Sequence, residues 1–189
     1  MVSRTQTRTI GGRLAAAIAL TAAATLVLTA APAVAGNGGI GAPQPPAPTV
    51  AGPKAKLVDG LARAPSSAPA RVKAVIAAAN RIAKGHGYCN GGGYSSWRST
   101  CYDCSSSVSF ALHGGRLIAQ PMPPTSLEGW GRSGAGKWIT VYANSGHAFM
   151  TIAGLRFDTA DTPGGGPGWA KTMGYENPKS FTIRHRAGL

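Results

Sequence analysis

At 189 residues the chain has room for one ordinary domain with attachments, and two full domains are excluded. Nineteen Lys and Arg against six Asp and Glu give a net charge of +13, which raises the local concentration of polyanions. No basic helix with interleaved aromatics and no RNA-binding motif accompanies that charge, so nucleic acid is not an expected partner.

The chain opens with Arg4, Arg8 and Arg13 and no acid, followed by an uncharged Ala/Leu/Thr run and the small-x-small triplet Ala33-Val34-Ala35. This predicts a secretory signal peptide over residues 1–35, cleaved before Gly36. A membrane anchor is the rival reading, because residues 14–35 are just long enough to span a bilayer. Ala/Thr richness and Pro32 beside the cleavage triplet favour removal, which leaves no stable membrane span. With no twin-arginine pair, the general secretory route is expected. Loss of those three arginines leaves sixteen basic residues against six acids, about +10. For an exported protein the anions at hand are cell-wall polymers and carboxylate-bearing peptides. From Gly36 to about Pro53 the composition is mostly Gly, Pro and Ala, and a second break falls at Ala64-Pro65-Ser66-Ser67-Ala68-Pro69. Residues 36–68 are therefore read as an extended linker and 69–189 as the working domain.

Within that domain Val72, Val75, Ile76, Ala79 and Ile82 recur at helical spacing, predicting an amphipathic helix over 71–84 that Gly85 and Gly87 stop. A glycine-rich loop, 87–94, leads to Cys101 and a short helix over 105–112, closed by Gly114-Gly115. Pro121, Pro123 and Pro124 mark an irregular crossing. Strands are expected over 138–142, 148–153, 155–158 and 181–184, and a Gly/Pro-rich surface loop over 163–180. Helices first and strands second predict an α+β domain with a mostly antiparallel sheet.

Cysteines 89, 101 and 104 make an odd number, most simply one disulfide and one free thiol. A Cys89–Cys101 bond would staple the glycine loop and leave Cys104 free. Two other partitions stay open. Cys101-x-x-Cys104 at a helix start is the spacing of a thiol–disulfide redox centre, although no βαβ pattern precedes it. His86-x-x-Cys89 with Cys101-x-x-Cys104 is the ligand spacing of a small structural zinc site, which an oxidising compartment disfavours; no metal or cofactor is expected. Gly131-Arg132-Ser133-Gly134-Ala135-Gly136-Lys137 mimics half of a phosphate-binding loop, but Trp138 stands where the magnesium-holding hydroxyl belongs and a strand follows, so it is read as a turn.

Cys104 opens a helix, where unpaired N–H groups and the dipole favour a thiolate. His147, after Ser145-Gly146, starts the most apolar strand and is the base best placed to meet it. His113, at a helix C-terminus, and His86 and His185 need no function. The blocks Tyr88-x-x-Gly91-Gly92, Asp103-Cys104-Ser105 and Gly146-His147-Ala148 resemble, in order and spacing, the NlpC/P60 cysteine peptidases of bacterial cell-wall peptides over about residues 70–189. The likeness is greatest to an exported actinobacterial-type subgroup with Trp138-Ile139-Thr140-Val141-Tyr142-Ala143-Asn144 before the histidine and Gly154-Leu155-Arg156-Phe157-Asp158-Thr159 after it.

That resemblance implies a papain-like α+β fold with N-terminal helices packed on a mostly antiparallel β-sheet. It also implies hydrolysis of a peptidoglycan stem-peptide amide, typically after γ-D-glutamate. The exported protein is expected to be wall-associated and monomeric. Cys104 would be the nucleophile and His147 its base and later its acid. A third polar group follows the histidine by eleven or twelve residues, giving Asp158 or Thr159. An ungapped comparison favours Thr159, but Asp158 is the better acceptor and is preferred. Tyr88 would assist the oxyanion beside the Cys104 backbone N–H. Two positions depart from the pattern: Ser106 stands where glycine is usual, and Tyr94 where histidine is frequent. With no separate wall-binding repeat, targeting rests on charge or partners. The rival class is a catalytically silent wall-binding protein on the same fold, followed by a redox protein using Cys101 and Cys104.

Overall fold

A computed structural model describes residues 48–174 and 180–189. The leader expected over 1–35, the first part of the linker (36–47) and residues 175–179 of the surface loop lie outside the described residues. Among the described residues no helix is long and apolar enough to cross a membrane.

The linker assignment needs correction from residue 49 onward. Strands β1 (Thr49–Val50), β2 (Lys56–Val58) and β3 (Leu61–Pro65) form a three-stranded sheet in the order β1-β3-β2. Strands β2 and β3 are joined by Asp59-Gly60, whose φ angles of 51° and 76° are both positive, the backbone a two-residue hairpin needs. Ala62, Ala64 and Ala68 are buried in the core. The Asn80 side chain pairs with both backbone groups of Ala62, accepting from its N–H at 3.0 Å and donating to its carbonyl at 2.8 Å. Small side chains thus let this sheet lie close on the first helix, and the folded domain starts near residue 49 rather than 69.

Helix α1 (Ala70–Ile82) buries Val72, Val75, Ile76, Ala79 and Ile82, the face that periodicity predicts. Next come β4 (Gly87–Tyr88) and β5 (Cys101–Tyr102), paired in parallel, then α2 (Cys104–Gly114) and, in the proline-rich crossing, the single turn α3 (Pro124–Leu127). The remaining strands are β6 (Arg132–Ser133), β7 (Ile139–Asn144), β8 (His147–Ile152), β9 (Leu155–Asp158), β10 (Gly168–Ala170) and β11 (Thr182–His185). They form one six-stranded sheet, ordered β10-β9-β8-β7-β11-β6, in which every neighbouring pair is antiparallel. The domain is mixed α+β.

Strand β10 is the second correction, since 163–180 was expected to be surface loop. Trp169 is buried there and its indole N–H donates to Asn80 Oδ1 at 2.9 Å, so one aromatic side chain converts a Gly/Pro-rich stretch into a sheet edge. The phosphate-loop mimic, read as a turn, holds the edge strand β6 at Arg132–Ser133, paired with β11, and only its remainder is irregular before strand β7.

Helices α1 and α2 pack on each other, and α2 lies across β8 and β9. Phe149 on β8 is fully buried, stacked on Tyr142 with ring centroids 4.7 Å apart and met edge-on by Phe181 at 5.1 Å. Truncating such an aromatic to alanine costs about 3–5 kcal/mol. The strand that carries His147 is therefore among the most firmly held parts of the molecule.

Candidate functional site

Cys104 is the first residue of α2, and Asp103 caps the helix. Asp103 Oδ1 accepts from Ser106 N–H at 2.8 Å while Ser106 Oγ bonds Asp103 N–H at 2.9 Å, a reciprocal pair that fixes the first turn. The serine at the usual glycine position is thus a cap partner, buried and pointed away from open space. Asp103 Oδ2 accepts from Gly91 N–H at 3.2 Å and ties the glycine loop to the helix start. Cys89 and Cys101 form a disulfide, and Cys104 is the remaining thiol, buried. With Cys101 bonded to Cys89, the redox pair Cys101–Cys104 is not formed, and a zinc site would lack two thiolates. Among the described residues no group of three or more His, Cys, Asp or Glu side chains could hold a metal ion.

His147 is presented by a turn built for it. Strands β7 and β8 pair Asn144 with His147 across Ser145-Gly146, and Asn144 Oδ1 accepts from Gly146 N–H at 3.0 Å and His147 N–H at 2.9 Å. Antiparallel pairing of β8 with β9 runs through Met150–Phe157 and Thr151–Arg156. Asp158, the next residue along β9, therefore lies diagonal to His147 on one face of the sheet. His147 Nε2 and Asp158 Oδ1 are 2.9 Å apart. That leaves Nδ1 as the ring nitrogen for the hydrogen bond His147 makes with Cys104. Thr159 contributes its backbone, donating N–H to Asp158 Oδ1 at 2.7 Å, as Ala160 does at 3.1 Å. Of the two third-position residues, it is the Asp158 side chain that reaches the imidazole.

The electrostatics favour a thiolate–imidazolium pair. Burial pushes the Cys104 thiol up, but hydrogen bonds from His147 and the Ala148 backbone, and the charge of His147, outweigh that and the nearby Asp103 carboxylate, leaving it below its ordinary value. Burial pulls His147 down, yet its hydrogen bonds to Asp158 and Cys104, and the charge of both, push it up from 6.5 to about 9. His147 is therefore protonated through neutral pH, and its charge favours the thiolate form of Cys104. Such a group set can attack an electrophilic carbonyl and protonate a leaving amine.

Tyr88, on β4, lies within electrostatic reach of Cys104. Its β4 partner is Tyr102, two residues before Cys104, and its N–H donates to Gly165 O at 3.2 Å. Tyr88 is 51 % exposed. Partial burial first, and then the charges of Cys104 and Asp103, raise its hydroxyl above the ordinary phenol value, which places it within the field of the thiolate. Tyr94, at the frequent histidine position, hydrogen-bonds Ser105 Oγ, which itself bonds Asp103 Oδ1 at 3.3 Å.

Two charged contributors escape a reading of the sequence. Asp103 as helix cap had a visible signal, an acid three residues before a serine at a helix start. Arg156 donates from Nη1 to Asp158 Oδ2 at 2.9 Å. It stands two residues from the acid and hence on the same face of the strand, but the sequence carries no sign of its burial. Neither a model of a known protein family nor a curated protein matches the chain.

Proposed function

We propose that this protein is an exported cysteine hydrolase on the papain-like NlpC/P60 fold, cutting an amide bond of the peptidoglycan stem peptide. The bond after γ-D-glutamate is the one the sequence resemblance implies. The observation that carries this reading is the Cys104–His147–Asp158 chain of contacts at a helix N-terminus, with the other two cysteines sequestered in a disulfide. Export is supported by the leader-like residues 1–35 and by the disulfide. The positive charge suits carboxylate-bearing stem peptides and anionic wall polymers.

In this mechanism the Cys104 sulfur attacks the amide carbonyl, and the oxyanion is met by the Cys104 backbone N–H and the Tyr88 hydroxyl. The C–N bond breaks as His147 gives its proton to the leaving amine, leaving a thioester on Cys104. A water molecule then loses a proton to His147 and attacks the thioester carbonyl; the carboxylic acid leaves and the thiolate–imidazolium pair is restored. Asp158 holds Nε2 and stabilises the imidazolium throughout, the part played by the acid of other triads.

The test is digestion of purified peptidoglycan followed by mass spectrometry of released stem-peptide fragments. Wild-type protein releases them, and Cys104→Ala or prior iodoacetamide treatment abolishes release. Full lysis by Cys104→Ala would overturn the nucleophile assignment. Wall binding without cleavage by wild-type protein would replace the hydrolase with the silent binding protein.

A further inference from the structure

We infer that Arg156 is a positioning residue of this site, fixing the Asp158 carboxylate and, through it, the His147 ring that pairs with Cys104. The inference rests on reading Cys104, His147 and Asp158 as one acid–base unit. Arg156 and Asp158 occupy alternate positions of β9 and share a sheet face. Both are buried, at 3 % and 0 % exposure. The two carboxylate oxygens have separate partners. Oδ1 meets His147 Nε2 and the N–H groups of Thr159 and Ala160, while Oδ2 takes the Arg156 guanidinium at 2.9 Å. Holding the far oxygen sets the plane of the carboxylate, and hence the line along which Oδ1 points at the imidazole.

Stability alone gives a poor account of this pair. Buried ion pairs are often matched or bettered by apolar residues of similar volume, because both charges must leave water. What an apolar residue cannot do is keep an adjacent buried carboxylate ionised. The guanidinium is also sealed from solvent: Gly174, with φ +74°, passes so close that a Cβ there would lie 2.8 Å from the Arg156 Cζ. A glycine at that point lets backbone cover the arginine.

Among the described residues, charged and titratable groups face this unit from several elements. Asp158 faces Arg156 on its own strand and His147 on β8. His147 faces Cys104 on α2, and Cys104 feels Asp103 at the helix cap, Tyr88 on β4 and Tyr94 in the glycine loop. Of these, Arg156 is the permanent cation. Without it, the buried carboxyl binds a proton at higher pH, the imidazolium loses its counter-charge, and the thiolate forms at higher pH.

The rate of Cys104 alkylation by iodoacetamide against pH reads this directly, since the other cysteines are disulfide-bonded. Removing an adjacent opposite charge in Arg156→Met moves the acid limb of the profile up by about one pH unit or more. Arg156→Lys keeps the charge and restores most of the limb, but loses the fork geometry and slows peptidoglycan turnover about tenfold. A folded Arg156→Met whose alkylation profile superimposes on wild type would overturn the inference. If Arg156→Met does not fold, Arg156→Gln is read in the same way, and an alkylation profile superimposed on wild type overturns the inference instead. Alkylation needs no peptidoglycan, so a wild-type protein that releases no stem peptides would sink the proposed function and leave this test intact.

Discussion

The two walls that flank Cys104 are built in opposite ways. On one side His147, Asp158 and Arg156 hang from neighbouring strands of the six-stranded sheet, and their positions follow from antiparallel register and a buried ion pair. On the other side Tyr88 and Tyr94 hang from residues 87–103, where the two-residue strands β4 and β5 are the regular structure and the Cys89–Cys101 bond, with Asp103, supplies the restraint. Sheet register fixes acid–base geometry without any covalent help. A glycine loop has little to pack, so it needs a staple and a helix cap to hold a phenol near a thiolate. In the proposed mechanism proton transfer therefore falls to the first wall and transition-state contact to the second.

The largest effect expected on this comparison is at the sheet wall. His147→Ala or Asp158→Asn should lower stem-peptide release by about 10³–10⁴-fold, measured on the soluble fraction of a peptidoglycan digest. The pH dependence carries the same information. Because the folded-state value of His147 is raised to about 9, its proton is held through neutral pH and lost above it. Hydrolysis should fall as pH rises through about 9, while alkylation of Cys104 does not, since the thiolate persists. A common alkaline fall in both rates would break the assignment of His147 as the acid.

At the loop wall the effects should be smaller. Tyr88→Phe removes one donor to the oxyanion and should cost about 10²-fold in turnover while leaving the alkylation profile in place. A Cys89→Ser, Cys101→Ser double variant should lose roughly 3 kcal/mol of stability by denaturant melt, with turnover per folded molecule falling only a few-fold. If turnover fell as far as in Asp158→Asn, the loop would be part of the acid–base machinery and the contrast between the walls would dissolve. Smallest of all is Thr159→Val. Its contribution to Asp158 comes from its backbone N–H, so activity should stay within about twofold of wild type.

The same contrast explains what could be read from the sequence. Helix α1 and strands β7 to β9 announce themselves through periodic or continuous apolar residues, and residues 155–158 have the expected bounds. Strands β1 to β3 are hidden by their alanines and flanking prolines, which read as linker; the Asp59-Gly60 hairpin dipeptide was the available signal. Strand β10 is hidden by glycines and a proline around one buried tryptophan. At the site, Cys104, His147 and Asp158 stand out by residue type and spacing. Arg156 does not, because its role depends on being buried beside Asp158, and an arginine in sequence says nothing of its burial. Tyr94 bonding Ser105 depends likewise on how the glycine loop folds back over α2.

In the proposed reaction Cys104 forms a covalent acyl intermediate with a cell-wall peptide. Acid-quenching wild-type protein during turnover of soluble stem-peptide fragments, and measuring the intact and peptide-mapped mass, detects that intermediate. An acyl adduct on Cys104 is expected, absent in Cys104→Ala and accumulating when Asp158→Asn slows hydrolysis of the thioester. Product release from wild-type protein with no adduct on Cys104, or release that persists in Cys104→Ala, would contradict it.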